Sequence, residues 1–245
     1  MYMGSDLMAL AILPGLLLIL YVYRKDRVEK EPAPLLIKLV LFGIISCIAA
    51  GYLEQLESQF LPAYPQGSLQ YALQTSFCMA ALVEEIVKFL AMRCASWNNK
   101  AFNYRFDGVV YGLTAAVGFA IYENIMYVAM YGMQTAIVRA FTAIPLHAFC
   151  GAFMGAIYSY SKKASIMGNG GASVMYTILA LLVPMAIHGT YDTFAFLGQQ
   201  GTVPLLIFVV ILYIAAITMI KKLSASDYRA GFYPEARPID YEVEV

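Results

Sequence analysis

A chain of 245 residues that is 61 % hydrophobic and only 13 % charged, with a mean hydropathy of +0.67, is too apolar for an ordinary soluble domain, which is nearer half apolar and a quarter charged. Its 16 Lys and Arg balance 16 Asp and Glu, and without a basic stripe or a nucleic-acid motif, binding to nucleic acid finds little support. The four cysteines, Cys47, Cys78, Cys94 and Cys150, stand singly without CxxC spacing; they read as small apolar packing residues, not as a disulfide framework or a thiolate metal site.

A hydrocarbon layer about 30 Å thick takes roughly 20 mostly apolar residues as helix. Seven stretches qualify, at about 6–23, 33–56, 71–93, 107–132, 136–161, 172–197 and 202–222. Continuous apolar runs of this length exclude barrel strands, so the expected fold is an all-α, polytopic bundle in a lipid bilayer. The first stretch is not a cleavable leader, because the positive cluster follows it. Arg24, Lys25, Arg27 and Lys30 come after that stretch. Arg93, Lys100 and Arg105 lie between the third and fourth, Lys162 and Lys163 after the fifth, and Lys221, Lys222, Arg229 and Arg237 after the seventh. This alternation predicts the N-terminus outside and the C-terminus in the cytoplasm. Residues 1–223 form one transmembrane domain, and 224–245, with Asp227, Glu235, Asp240, Glu242 and Glu244, a short, loosely ordered cytoplasmic tail.

Charged groups inside a bilayer are costly, so they are functional candidates by default. The third stretch carries Glu84, Glu85 and Lys88, the fourth Glu123, the fifth His147, and the sixth His188 and Asp192. Both histidines of the chain are therefore intramembrane. Glu84 and Lys88 at i,i+4 share a helix face, with Glu85 nearly so, and His188 and Asp192 stand one turn apart. At about 1.5 Å per residue, Glu123 and His188 fall at similar depth, and Glu84 and Glu85 join them if the third helix continues toward Trp97. Gly108 with Gly112, and Gly151 with Gly155, allow close helix packing. Glu54 and Glu57 are expected to be solvated, Arg139 to snorkel to the outer interface, and Asn124 to be structural. Pro145 and Pro184 are the places where spans near the site would break.

The order of these residues resembles the PrsW family of membrane proteases, which is related to the type II CAAX prenyl endopeptidases. EExxK appears at Glu84, Glu85 and Lys88, DGxxYG at Asp107 to Gly112, GFAxxEN at Gly118 to Asn124, then His147 alone, and HxxYD at His188, Tyr191 and Asp192. The resemblance covers about 71–198. Glu123 four after Phe119, and Asp192 four after His188, replace the FxxxH and HxxxN of the CAAX-type relatives and argue against prenyl-protein processing. The resemblance implies an intramembrane endopeptidase of a prokaryotic cell membrane. Its substrate would be a membrane-anchored protein, such as an anti-sigma factor, cut near the outer surface.

Peptide hydrolysis needs an activated water, a stabilised oxyanion and an acid for the leaving amine. The expected catalytic set is Glu84, Glu85, Glu123, His147, His188 and Asp192, with Lys88 and Asn124 supporting. Glu84 or Glu85 would activate the water, with the other paired to Lys88; the imidazoles would position it, and Asp192 would orient His188. A zinc ion is the alternative activator, with Glu85, Glu123, His147 and His188 as candidate ligands, although no HExxH helix is present. Ion- or proton-coupled transport is the competing class, since it uses the same buried acids and imidazoles. The chain shows none of the inverted repeats common in transporters.

Overall fold

Helices satisfy every backbone polar group internally, which lipid requires. The computed structural model describes residues 4–227 and 231–232, and no strand occurs among them. Helices α1 (Ser5–Lys25) and α2 (Ala33–Glu57) come first. Then α3 (Leu69–Leu73), a π-helical segment (Gln74–Ala81) and α4 (Leu82–Ser96) adjoin without a break. They are followed by α5 (Arg105–Tyr131), α6 (Met133–Phe141), α7 (Ala143–Ile166), α8 (Gly170–Phe196) and α9 (Thr202–Ser226). Six stretches are long and apolar enough to cross a membrane: α1, α2, α5, α6 with α7, α8, and α9 with the short turn before it. The expected third stretch is not among them, being divided into pieces of 5, 8 and 15 residues. It does continue past Arg93, with the Trp97 amide still bonded to the Arg93 carbonyl.

Large apolar side chains such as Leu17, Ile37, Leu41, Val203, Val210 and Ile214 face outward. An apolar exterior on this scale is at rest only against lipid; the chain is an integral membrane protein. The centre belongs to α5, where every residue from Phe106 to Ile121 is buried. Glycines bring its neighbours to backbone contact. A Cβ on Gly108 or Gly155 would strike the other's carbonyl, and Gly112 and Gly151 stand in the same relation, locking α5 to α7. Gly43 and Gly118 do likewise where α2 crosses α5. The expected role of the glycine pairs is met.

Two breaks position the site. Gly132, at φ 79°, reverses the chain between α5 and α6, a conformation that favours glycine. The second break falls at Thr142, where the backbone is non-helical, not at Pro145 itself. Proline has no N–H for the carbonyl four residues earlier, and the Phe141 carbonyl instead accepts the Tyr213 hydroxyl at 3.0 Å.

The expected loose tail needs correction at its start. Ser224 to Ser226 belong to α9, and Asp227 is buried, its Oδ1 accepting the Phe106 amide at 2.9 Å. That carboxylate replaces a partner the first turn of α5 would otherwise lack. Arg229, Glu235, Arg237, Asp240, Glu242 and Glu244 lie outside the described residues.

Candidate active site

The acids and imidazoles meet. Lys88 Nζ stands 2.8 Å from Glu84 Oε2 and 2.9 Å from Glu85 Oε1, so both glutamates, not one, pair with the lysine. The same ammonium reaches His147 Nδ1 at 2.9 Å and lies over the Phe119 ring. An ammonium has only donors, so His147 accepts at Nδ1 and donates from Nε2 to Glu123 Oε2 at 3.0 Å. His188 is held at both nitrogens, with Nδ1 2.8 Å from Glu85 Oε1 and Nε2 3.2 Å from Asp192 Oδ2. The i,i+4 partnership of His188 and Asp192 is thus present, but Glu85 is the closer partner. The imidazole rings meet edge to face, 5.0 Å apart.

The two adjacent glutamates have different surroundings. Glu85 is fully buried behind the site, spent on Lys88 and His188. Glu84 lines a cavity of about 540 Å³ together with Glu123, His147, His188 and Asp192. Its Oε2 is 3.9 Å from both His147 Nδ1 and His188 Nε2. The three donors of Glu84, His147 and His188 lie within 4.8 Å of one another. One carboxylate and two imidazoles from three helices make a donor set that suits zinc, which in catalytic sites takes three such ligands and a water. Glu85 and Glu123, expected among the ligands, stand outside this trio and hold its imidazoles by the other ring nitrogens, Glu85 from behind the site and Glu123 from the cavity wall. Lys88 bonds two of the three donors, so its ammonium and a metal are alternative neighbours of His147 Nδ1. Charge also fits. Among the described residues, Glu84, Glu85, Glu123 and Asp192 face only Lys88 and Arg139 as fixed cations, and a dication would offset the excess.

Two cavity residues were not expected. Arg139 does not snorkel: Nη2 pairs with Glu123 Oε2 at 2.5 Å and Nε donates to Asn124 Oδ1 at 2.8 Å. The reversal at Gly132 turns α6 back over the end of α5, which hydropathy alone does not reveal. Asn124, fully buried, also donates to the Ala11 carbonyl at 3.3 Å and so ties α1 to the site, the structural role expected of it. Glu54, expected in solvent, lines the same cavity. The π-helical segment contributes Thr75, Met79 and Ala80 to the wall. Such segments are frequent at functional sites.

Residues 31–219 match the model of a family described as PrsW family intramembrane metalloprotease. Similar proteins each carry the name Protease PrsW. That of Clostridioides difficile (strain 630) is 34 % identical over 214 residues, 86 % of this chain and 87 % of the relative. That of Geobacillus kaustophilus is 28 % identical over 218 residues, 89 % and 92 % of the two. That of Bacillus subtilis (strain 168) is 29 % identical over 191 residues, 74 % and 78 %. No solved structure matches the chain.

Proposed function

The chain belongs to the PrsW family of intramembrane metalloproteases, and on that premise we propose that it cuts a membrane-anchored protein at the cavity walled by Glu84, His147 and His188. The observation that carries this reading is the convergence of those three donors on a space large enough for an extended peptide segment. In this reading Leu69–Ser96 crosses as a seventh span, the N-terminus is outside and the C-terminus cytoplasmic, as the Lys and Arg distribution favours. The substrate is a single-span protein of the anti-sigma-factor kind, cut toward the outer face. Relatives named as proteases over most of the chain leave transport without support.

Glu84, His147 and His188 are the residues that would hold a divalent metal. Such an ion supplies a water acidic enough to ionise near neutral pH and polarises the scissile carbonyl. The remaining roles fall to the protein. Glu85 fixes the His188 ring through Nδ1, leaving Nε2 toward the cavity, and holds Lys88 when it withdraws from His147. Glu123, on the cavity wall and bonded to His147 Nε2, accepts the proton of the attacking water and returns it to the leaving amine. Arg139, paired with Glu123, offers donors to the oxyanion. Asp192 holds His188 Nε2 in the absence of other partners.

The test is metal content and activity of the purified protein on a membrane-anchored substrate, found as a protein that accumulates uncut when the gene is removed. Chelation is expected to abolish cleavage and zinc to restore it, with His188→Ala losing both metal and activity. Full cleavage by metal-free protein would sink the metal assignment, while cleavage unimpaired in Glu84→Gln would sink the site.

A further inference from the structure

A second group of acids lies at the opposite end of α5, roughly 24 Å from Glu123 at about 1.5 Å per residue. Asp26 ends α1, Glu31 sits in the loop to α2, and Asp107 opens α5. Their side chains converge, each offering an oxygen within 4.8 Å of the others. None reaches solvent appreciably: exposures are 1 % for Asp26, 3 % for Glu31 and 1 % for Asp107.

Part of this group is explained by local hydrogen bonding. Asp107 Oδ2 accepts the Asn103 and Tyr104 amides at 2.8 and 2.6 Å, which caps α5. Glu31 Oε2 accepts the Tyr111 hydroxyl. The rest has no such explanation. Neither oxygen of Asp26, nor Oδ1 of Asp107, has a well-formed hydrogen bond among the described residues; the Glu29 amide lies near Asp26 without the geometry of one. Lys30, one turn on, bonds the Asp26 and Tyr23 carbonyls with its ammonium, and the ammonium of the adjacent Lys25 lies over the Tyr21 ring. Asp227, from α9, adds a further negative charge beside Asp26 and has its own unpartnered oxygen.

A buried carboxylate without a partner costs several kcal/mol, so something neutralises the group. A proton shared by two carboxyls draws their oxygens to about 2.5–2.7 Å; Glu31 and Asp107 stand close enough to share one, but Asp26 makes no such contact. Oxygens bound to one cation at about 2.0–2.6 Å each stand up to roughly twice that length apart, and the three side chains offer oxygens within 4.8 Å of one another. We propose that Asp26, Glu31 and Asp107 form a second cation site, for one hard divalent ion of the Mg²⁺ or Ca²⁺ class, which ties the α1–α2 loop to the start of α5. The set is all-oxygen, unlike the Glu–His–His cavity, and soft or imidazole-seeking metals have no reason to choose it. The inference does not depend on the proteolytic reading.

Without the ion, burial shifts the acids outside the spans. Asp26 is pushed up to about 7 by burial and then by Asp227, against Lys30 and the Glu29 amide. Glu31 is pushed up to about 8 by burial, against the Tyr111 hydroxyl. Asp227 is pushed up to about 6 by burial, against the Phe106 amide and Arg105. A carboxyl with a raised folded-state pKa favours folding at low pH, and that contribution is lost as pH rises through the folded value. In the ion-free protein that contribution is complete below the ordinary carboxylate values of 3.8 and 4.5 and is lost as pH rises from there to the raised values of about 6 to 8. A cation replaces the protons there.

The experiment is thermal unfolding of full-length protein in detergent, stripped with chelator, in a Glu84→Gln background so that the first cavity does not contribute. Mg²⁺ and Ca²⁺ are titrated separately at about pH 8.5 and about pH 5.5, above and below the raised values at which the folded site takes up protons. At a hundredfold excess over Kd, one of them is expected to raise Tm by about 5–10 °C at the higher pH, with little effect at the lower; whichever acts identifies the ion. Asp26→Asn, which forfeits no hydrogen bond, is expected to fold and lose the response, and Glu31→Gln to weaken it. A Tm that falls with rising pH and ignores both cations would mean protons alone fill the group and would overturn the proposal. So would a cation response undiminished in Asp26→Asn and Glu31→Gln.

Discussion

Glutamine at position 85 and glutamine at position 84 are nearly the same change one residue apart, yet the surroundings assign them opposite consequences. Glu85 is fully buried, and its Oε1 holds Lys88 at 2.9 Å and His188 at 2.8 Å. An amide oxygen there can keep the His188 Nδ1–H but loses the charge that faces Lys88. Breaking a buried pair costs about 3–5 kcal/mol, and since Lys88 retains Glu84 at 2.8 Å, the lower end, about 3 kcal/mol, applies. For a chain of this length that is a fall in Tm of roughly 6–12 °C. Glu84 sits on the wall of the cavity, where water is able to replace the lost contact. Its neutralisation is expected to cost about 1–2 kcal/mol, the range of a charge-assisted hydrogen bond. Activity should sort the other way. Glu84→Gln removes a carboxylate that would hold the metal and is expected to lower cleavage by at least about 10²-fold, beyond the roughly 10–100-fold cost of losing an outer partner of a metal site. Glu85→Gln, assayed well below its Tm, should keep measurable turnover. Thermal unfolding in detergent and single-turnover cleavage in proteoliposomes read the two quantities. A Glu85→Gln protein as stable as the parent, or a Glu84→Gln protein as active, would refute this division of labour.

Arg139→Met leaves Glu123 with only His147 and removes the oxyanion donors; cleavage is expected to fall about 10²–10³-fold, with Arg139→Lys recovering part of it in the same single-turnover assay. Gly155→Ala drives a Cβ into the Gly108 carbonyl and is expected to cost about 1–3 kcal/mol by overpacking. Gly51→Ala, on the same measure of Tm, meets nothing within 4 Å and is expected to be neutral or slightly stabilising.

The ends of the helices at α1, α2, α5, α8 and α9 were readable from hydropathy to within a few residues, because lipid thickness sets their length, whereas the division of the third stretch and the break at Thr142 in the fifth were not. The contact of Glu84 with Lys88, and of His188 with Asp192, followed from helical spacing alone. Side-chain direction across helices did not. Arg139 looked like an interfacial residue because its position along the chain is near a span end, and only the reversal at Gly132 aims it inward. Glu54 and Asp227 were misread for the same reason. Each stands near the end of an apolar run, where sequence cannot separate a solvated acid from one folded back against a neighbour. The division between Glu84 and Glu85 was equally hidden, since consecutive helix residues differ by about 100° in direction and the sequence does not say which faces the cavity.

Lys88 gives the site its logic. Carboxylates crowded at a buried site need positive charge beside them, and Lys88 and Arg139 supply it, the first to Glu84 and Glu85 and the second to Glu123. Lys88 is anchored on Glu85, which faces away from the cavity, and reaches past it to Glu84 and His147, two of the three donors suited to a metal. An ammonium in that place keeps the acids and imidazole apart when no metal is bound, and Glu85 gives it somewhere to remain when one is. The pairing of adjacent glutamates with one lysine thus has a reason beyond stability: one acid faces the cavity, and the other holds the charge that lets the first exist there.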